Sequence, residues 1–268
     1  MPTLLLSRRH SDDSNAMWRA ALHQGWDVLR LQSYEVPAGL REREPVLYAE
    51  TLLADAIAEP LGLVLLEPTY DWLPRLPIPY RKRAVTLETL GLARQLDAPA
   101  FVKPVDEKIF PARVYARGSE IEPTLELAAD TPVLVSEPVT WTIEVRAFVL
   151  ERQVAALSAY IRSGDIARSQ EGEWPLTESE RAGALTFLSA LLADPEVALP
   201  AAVVVDVGLI PERGWAVVEA NACWAAGICG CDPREVLPVL RRASVPESAL
   251  VEADRPWSRA LHLQASHR

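Results

Sequence analysis

Hydrophobic and polar positions change period several times along this chain, and each change predicts an element. Thr3–Leu6 is an unbroken apolar run, read as a buried strand. Asp12, Asp13 and Ser14 then cap a helix through Gln24, with Met17, Ala20, Ala21 and Leu22 at helical spacing and Gly25 just past its end. Residues 26–31 form a second strand. Residues 44–61 read as one amphipathic helix, with Leu47, Leu52, Leu53, Ile57 and Leu61 on roughly one side and Gly62 as the stop. Residues 63–66 are a third strand. Strand, helix, strand, helix, strand predicts a small parallel α/β domain over residues 1–79. Its last stretch, 68–79, holds four prolines and is read as a crossing segment, neither helix nor central strand. Residues 80–96 read as a helix whose basic start, Arg81-Lys82-Arg83, is a solvated face.

From residue 100 the pattern turns to strands. Residues 100–105 and 113–116 flank a loop at 106–111, and 133–137 is another strand. Residues 141–150 and 153–162 form a hairpin about Glu151-Arg152. The polar stretch 163–174, with two glycines, reads as a mobile loop. Thr177 and Glu180 have capping-box spacing at the start of a helix to residue 192. Asp232-Pro233 opens a last helix through Arg242. The division is therefore 1–79, an α+β region at 80–243, and a weakly patterned, loose tail at 244–268.

Composition narrows the function classes. The chain has 268 residues, 49% of them hydrophobic, and a formal net charge of -10, which disfavours nucleic-acid and anionic-membrane surfaces. No apolar run approaches the roughly 20 residues of a membrane helix. Three cysteines with no secretion signal point to reduced thiols and a cytoplasmic protein. The Cys229-x-Cys231 pair lacks the ligands for a closed soft-metal site. The four histidines stand near the chain ends, which argues against Ser-His-Asp, Cys-His and His-rich zinc chemistry.

The densest candidate chemistry lies in residues 203–221. Two β-rich runs flank Pro211-Glu212-Arg213-Gly214, a turn by composition. A four-residue loop sets Ile210 opposite Trp215 and Asp206 opposite Glu219, with Asn221 on the same face. Two carboxylates and an amide thus converge among valines. Like charges so placed repel unless a divalent cation intervenes, and hard oxygens suit Mg²⁺. On that reading, neutralising Asp206 or Glu219 leaves the fold as stable or stabler. A one-residue register slip would instead separate the two acids as an ordinary solvated hairpin.

The cationic positions come earlier. Only Lys82, Lys103 and Lys108 are lysines. Lys103 shares a face of an apolar strand with Phe101, which is costly unless an anion meets it; an edge-strand lysine in water is the plain alternative. Lys108 lies in the loop. Glu144 and Arg146 share the face opposite Ile143, Val145 and Ala147, as catalytic groups or as a surface ion pair. Arg162 joins the face of Arg146 only if the intervening turn has three residues. Arg8, Asp13 and Asn15 stand where open α/β sheets bind ligands, and equally suit a capped helix start.

In order, these features resemble the ATP-grasp family, over about residues 80–240. Phe101-Val102-Lys103-Pro104 looks like the family's nucleotide strand. Val135-Ser136-Glu137-Pro138-Val139 looks like its adenine and ribose hinge, Glu144-x-Arg146 like its acidic-x-Arg segment, and Asp206-x-Gly208 with Glu219-x-Asn221 like its metal site. The resemblance implies an ATP-grasp fold preceded by a small parallel α/β domain. It implies ATP bound through Lys103, Lys108, Glu137, Pro138, Val139 and Glu144, and Mg²⁺, or Mn²⁺, on Asp206, Glu219 and Asn221. Arg146, Arg162 and Lys108 would act on the transferring phosphoryl group. The implied activity is a carbon–nitrogen ligase that passes an acyl phosphate from a small-molecule or peptide carboxylate to an amine or other nucleophile. A phosphotransferase and a nucleotide-binding module without turnover are the alternatives. The chain departs from the family in its phosphate loop, Asp-Glu-Lys-Ile-Phe-Pro, which has no glycine; Lys108 would supply charge there and Phe110 would cover base or phosphates. It departs also after Asn221, where Trp224 stands beside the reaction centre.

Overall fold

The computed structural model describes residues 1–105, 109–122 and 126–266; Lys108 lies outside them. β1 (Thr3–Leu6), α1 (Asp12–His23), β2 (Asp27–Arg30) and β3 (Pro45–Tyr48) open the chain, and the three strands form a parallel sheet in the order β2-β1-β3. The α1 cap is Ser11, one residue ahead of the expected acids, in a reciprocal capping box with Ser14. The segment expected as one helix over 44–61 is divided. Pro45, Val46 and Leu47 are buried as a strand beside β1, and α2 (Thr51–Leu61) starts only after the chain turns at Ala49, whose N–H donates to the Trp224 carbonyl at 2.9 Å. The third parallel strand is therefore β3. The expected third strand, β4 (Leu63–Leu65), pairs instead with the C-terminal segment.

The proline-rich crossing contains two helical turns, α3 (Trp72–Arg75) and α4 (Ile78–Arg81), and the expected helix at 80–96 is not there. Lys82 adopts a left-handed φ of 48°, which ends α4. The chain continues into β5 (Val85–Thr89) and the short α5 (Leu90–Ala93), capped by the Thr89 side chain. β5, β6 (Ala100–Pro104), β7 (Arg113–Tyr115) and β8 (Pro132–Ser136) make an antiparallel sheet in the order β5-β8-β6-β7, with its own core around Leu90, Val102, Tyr115 and Val133.

The larger sheet is β11-β10-β9-β12-β13, antiparallel throughout: β9 (Ile143–Leu150), β10 (Gln153–Arg162), β11 (Asp165–Ile166), β12 (Ala202–Ile210) and β13 (Gly214–Asn221). One face carries Val145, Ala147, Val203, Val205 and Val207 against α6 (Glu178–Ala193). The other face is divided along the strands. Phe148, Ala202 and Val204 pack toward the first sheet and α7 (Pro233–Ala243), whereas Glu144, Arg146 and Asp206 continue the same alternation into an open cleft.

Two stretches expected to be loose are pinned. β11 pairs with β10, Arg168 in the following loop meets Asp12 at 2.8 Å, and Trp174 packs so closely on Gly230 that an added Cβ would fall 2.2 Å from its ring. Beyond α7, β14 (Ser244–Pro246) zips onto β4, and α8 (Arg259–Ser266) begins with a buried arginine held by Asp55 and Glu67. The tail is part of the packed structure because that guanidinium finds two carboxylates and the face of Trp224, 5.5 Å away.

Candidate active site

The β12–β13 register brings Asp206 opposite Glu219, as expected, but by another route. The turn has three residues: Ile210 pairs with Gly214 and Leu209 with Trp215. Left alone, that register would set Asp206 against Val218 and turn Glu219 to the opposite face. A β-bulge at Val218 takes up the extra residue and restores the pairing. Asn221 lies on the same face, and its Nδ2 donates to Asp206 Oδ2 at 3.2 Å and to Glu219 Oε1 at 3.0 Å.

These acids sit in a lattice of cations. Asp206, with no exposed surface, accepts from Arg146 Nε at 2.9 Å and from Nη2 at 2.7 Å. Burial raises the Asp206 carboxyl and the bidentate guanidinium opposes it. Burial would lower the Arg146 guanidinium, but Asp206 outweighs it and holds that group well above its usual value. Arg146 Nη1 also donates to the Gly227 carbonyl at 3.1 Å and to Cys229 Sγ at 3.7 Å, and Tyr160 lies 4.0 Å from the guanidinium. From the smaller sheet, Lys103 reaches across the cleft to Glu219 Oε2. Burial drives the Glu219 carboxyl up, but Lys103, Asn221 and Arg146 outweigh it and hold the group at about 2. Glu144 lacks such a partner among the described residues: burial, then Asp206 and Glu219, push its carboxyl up to about 7.

The cleft has a volume of about 1310 Å³ and runs from Phe101, Phe110 and Val139 past Lys103 and Arg146 to Trp224 and Arg259. Glu137 and Val139 line it with Pro138 between them. Glu137 pairs with Arg213 at 2.7 Å, which lowers its carboxyl, while its backbone N–H donates to the Ala84 carbonyl at 2.9 Å. Phe110 is buried, edge-on to Tyr115.

Arg162 does not join this group. The β9–β10 turn has two residues, and two irregularities in the ladder leave Arg162 opposite Ile143, which faces the core. Its guanidinium binds Glu180 at 2.7 and 3.1 Å on the far side of the sheet. Of the first-domain candidates, Asp13 accepts from the Ile228 N–H at 2.9 Å and Asn15 Oδ1 from Arg30 at 2.9 Å, so both brace the wall of the site.

The sequence reading missed three residues. Arg83, expected in solvent, is 7% exposed and donates to the Val217 and Val218 carbonyls at 2.6 and 2.9 Å. Trp141 stacks under Arg83 at 4.9 Å and covers Gly208, where a Cβ would fall 2.5 Å from the ring. Tyr160 is the residue by which β10 bulges, and so it meets Arg146. Nothing in local periodicity marks Arg83 or Trp141, because what they touch is far along the chain.

Among the described residues no group of three or more His, Cys, Asp or Glu is placed to hold a metal ion. The donor set is two carboxylates and an amide, joined by the Asn221 hydrogen bonds. That composition fits Mg²⁺, which commonly takes one or two carboxylates and completes its shell with water and phosphate oxygens.

A four-stranded and a five-stranded antiparallel sheet facing across a cleft, with a lysine on one and paired acids on the other, define the ATP-grasp fold. Residues 80–239 match a family described as an ATP-grasp domain, family 2 of its clade, and the chain belongs to the ATP-grasp family, whose enzymes are ligases. Solved structures agree on the fold. D-cycloserine synthetase DcsG is similar at TM-score 0.58 and 13% identity, over 90% of this chain and 99% of that one. An ATP-grasp RimK domain protein from Sphaerobacter thermophilus is similar at 0.54 and 14%, over 91% and 100%. D-alanyl-alanine synthetase A from Vibrio cholerae is similar at 0.50 and 14%, over 96% and 98%. A search of curated proteins found no match.

Proposed function

We propose that this chain is an ATP- and Mg²⁺-dependent ligase that activates a carboxylate as an acyl phosphate and passes the acyl group to an amine or other nucleophile, with amino acids and peptides as the substrate class. The observation that carries this reading is the convergence, across one cleft, of Lys103 with Asp206, Glu219 and Asn221. Asp206, Glu219 and Asn221 are the residues that would hold the metal, which when bound offsets charge on the phosphate oxygens. Lys103 exchanges Glu219 for phosphate oxygens as nucleotide enters. The Glu137–Val139 segment lies against the base and ribose. Arg146, unable to swing because Asp206 and the Gly227 carbonyl grip it, keeps positive charge fixed over the reacting end of the cleft.

In the first step a substrate carboxylate oxygen bonds to the γ-phosphorus while the bridging P–O bond breaks, its electron pair leaving with ADP. In the second, the nucleophile attacks the acyl carbon, the C–O bond to phosphate breaks, and the nucleophile's proton passes to solvent. The chain's part is positioning and fixed charge. Incubation with ATP, Mg²⁺ and pooled amino acids and peptides, one pool carrying ¹⁸O in its carboxylates, tests this. A ligase releases ADP together with phosphate bearing one ¹⁸O. ADP with a stable phosphorylated acceptor identifies a phosphotransferase, and no ADP with any pool a binding module; either result removes the ligase reading.

A further inference from the structure

The acids of the site share a face only because β13 carries one extra residue at Val218. A bulge leaves backbone groups outside the ladder, and in a buried place those groups need partners. Here they have one. The Arg83 guanidinium donates from Nη1 to the Val217 carbonyl and from Nη2 to the Val218 carbonyl, the two residues between the slipped register and Glu219. Nη1 is also tied to the Arg81 carbonyl at 3.1 Å, and the group's other face lies on Trp141. Trp141 in turn fills the space over Gly208, which pairs with Ala216 of β13 and Glu144 of β9. One planar cation therefore spans the bulge, and an indole keeps it from leaving.

We propose that Arg83 is a positioning residue of the active site: by pinning the Val217 and Val218 carbonyls it sets the β13 register that places Glu219 and Asn221 beside Asp206. The proposal goes beyond the ligase reading and rests on it only in taking those three residues as metal ligands. Lysine does not replace arginine here, since a single ammonium lacks the two parallel donors that match the two carbonyls. The register is bistable in principle, because without the bulge Glu219 would turn toward the Val203–Val205 face and its charge would enter the core. The consequence falls on metal affinity more than on the fold as a whole. Changes in residues that orient ligands commonly weaken metal binding about 10–100-fold.

The test compares the full chain with Arg83→Gln and Arg83→Lys. Mn²⁺ binding in the presence of ATP is read by water-proton relaxation, and backbone hydrogen exchange is read over residues 217–221, with the β9 and α6 amides as an internal control on folding. The expected result is a Mn²⁺ Kd raised about tenfold or more in the glutamine variant and by less in the lysine variant. Exchange should quicken at 217–221 and stay unchanged in α6. A wild-type Mn²⁺ Kd with wild-type exchange in Arg83→Gln overturns the proposal. So does a weakened Kd with unchanged exchange, since Arg83 would then act on the nucleotide directly. If glutamine prevents folding, the lysine variant decides by the same two readouts. If the wild-type chain binds no Mn²⁺ with ATP, the ligase reading fails and the exchange at 217–221 alone decides for or against Arg83.

Discussion

Glu144 gives the most exposed test of the site's electrostatics. It lies on the cleft face of β9, opposite Gly208, and among the described residues no cation holds its carboxylate as Arg146 holds Asp206 or Lys103 holds Glu219. Burial and the two acids raise its carboxyl from 4.5 to about 7. An acid raised in the fold binds more protons folded than unfolded, so its ionisation opposes folding. The penalty is absent well below the unfolded value, grows as pH rises toward about 7, and is constant above it. Two and a half pKa units correspond to a ceiling of about 3 kcal/mol, and the carboxylate's partial access to water brings the working figure to roughly 1–2 kcal/mol. Glu144→Gln keeps the shape and removes the charge. In the ligand-free protein its melting temperature should exceed wild type by roughly 2–8 °C at pH 8, and the gain should shrink to near nothing at pH 4.5. Scanning calorimetry across that range decides. A gain independent of pH, or a loss at pH 8, refutes the reasoning.

The remaining predictions rest on who holds whom. The structure reverses the expectation that neutralising Asp206 is harmless, because Arg146 would be left as a buried, half-paired cation; Asp206→Asn should cost about 3 kcal/mol or more in a denaturant melt, beside abolishing Mg²⁺-dependent ADP formation. Glu219→Gln should also abolish turnover at a much smaller cost in stability, since Lys103 is partly solvated; equal destabilisation by both would contradict the burial difference. Arg162→Gln should leave the Mg²⁺ dependence of ADP formation unchanged and cost less than about 1 kcal/mol, its bond to Glu180 being near solvent; lost turnover would return it to the site. Burial pushes Cys229 up to about 11 and Cys223 and Cys231 up to about 12, so none of the three should react with a disulfide reagent at pH 8 until the chain unfolds; a rapid native-state thiol would contradict this.

The metal face was legible in the sequence because Asp206 stands alone among valines, and an acid there needs a cation. The path to it was not. The expected four-residue turn and the missing bulge are each an error of one residue, and on a period-two strand two such errors cancel. The bulge is invisible locally since the group that holds it, Arg83, lies 134 residues earlier. The helices expected at 44–61 and 80–96 failed for a related reason. Pro45–Tyr48 and Val85–Thr89 carry apolar residues at spacings that suit a helix face or a strand, and pairing with β1 and β8 decides. Arg162 was left open between two turn lengths, and the two-residue turn settles which way it points. The tail looked unpatterned because its anchoring is one buried arginine meeting two acids from the first domain, which no periodicity reports.

In the ligand-free chain the charges that face the cleft are already matched by neighbours: Lys103 by Glu219, Arg146 by Asp206, Glu137 by Arg213. The pairs differ in what separates them. Arg146 and Asp206 sit on adjacent strands of one sheet and are buried together, so opening them would strand two charges in the core. Lys103 and Glu219 belong to different sheets and keep about a quarter of their side-chain surface exposed. Their bond spans the cleft and is the one that entering phosphates can exchange at low cost, Lys103 turning to the nucleotide as Glu219 gives up its ammonium. The site thus divides into a fixed half, Arg146 with Asp206, and a half that trades partners, Lys103 with Glu219. Because the exchanging pair also links the two sheets, nucleotide binding and the setting of one sheet against the other are a single equilibrium, and a change to either member of that pair alters both.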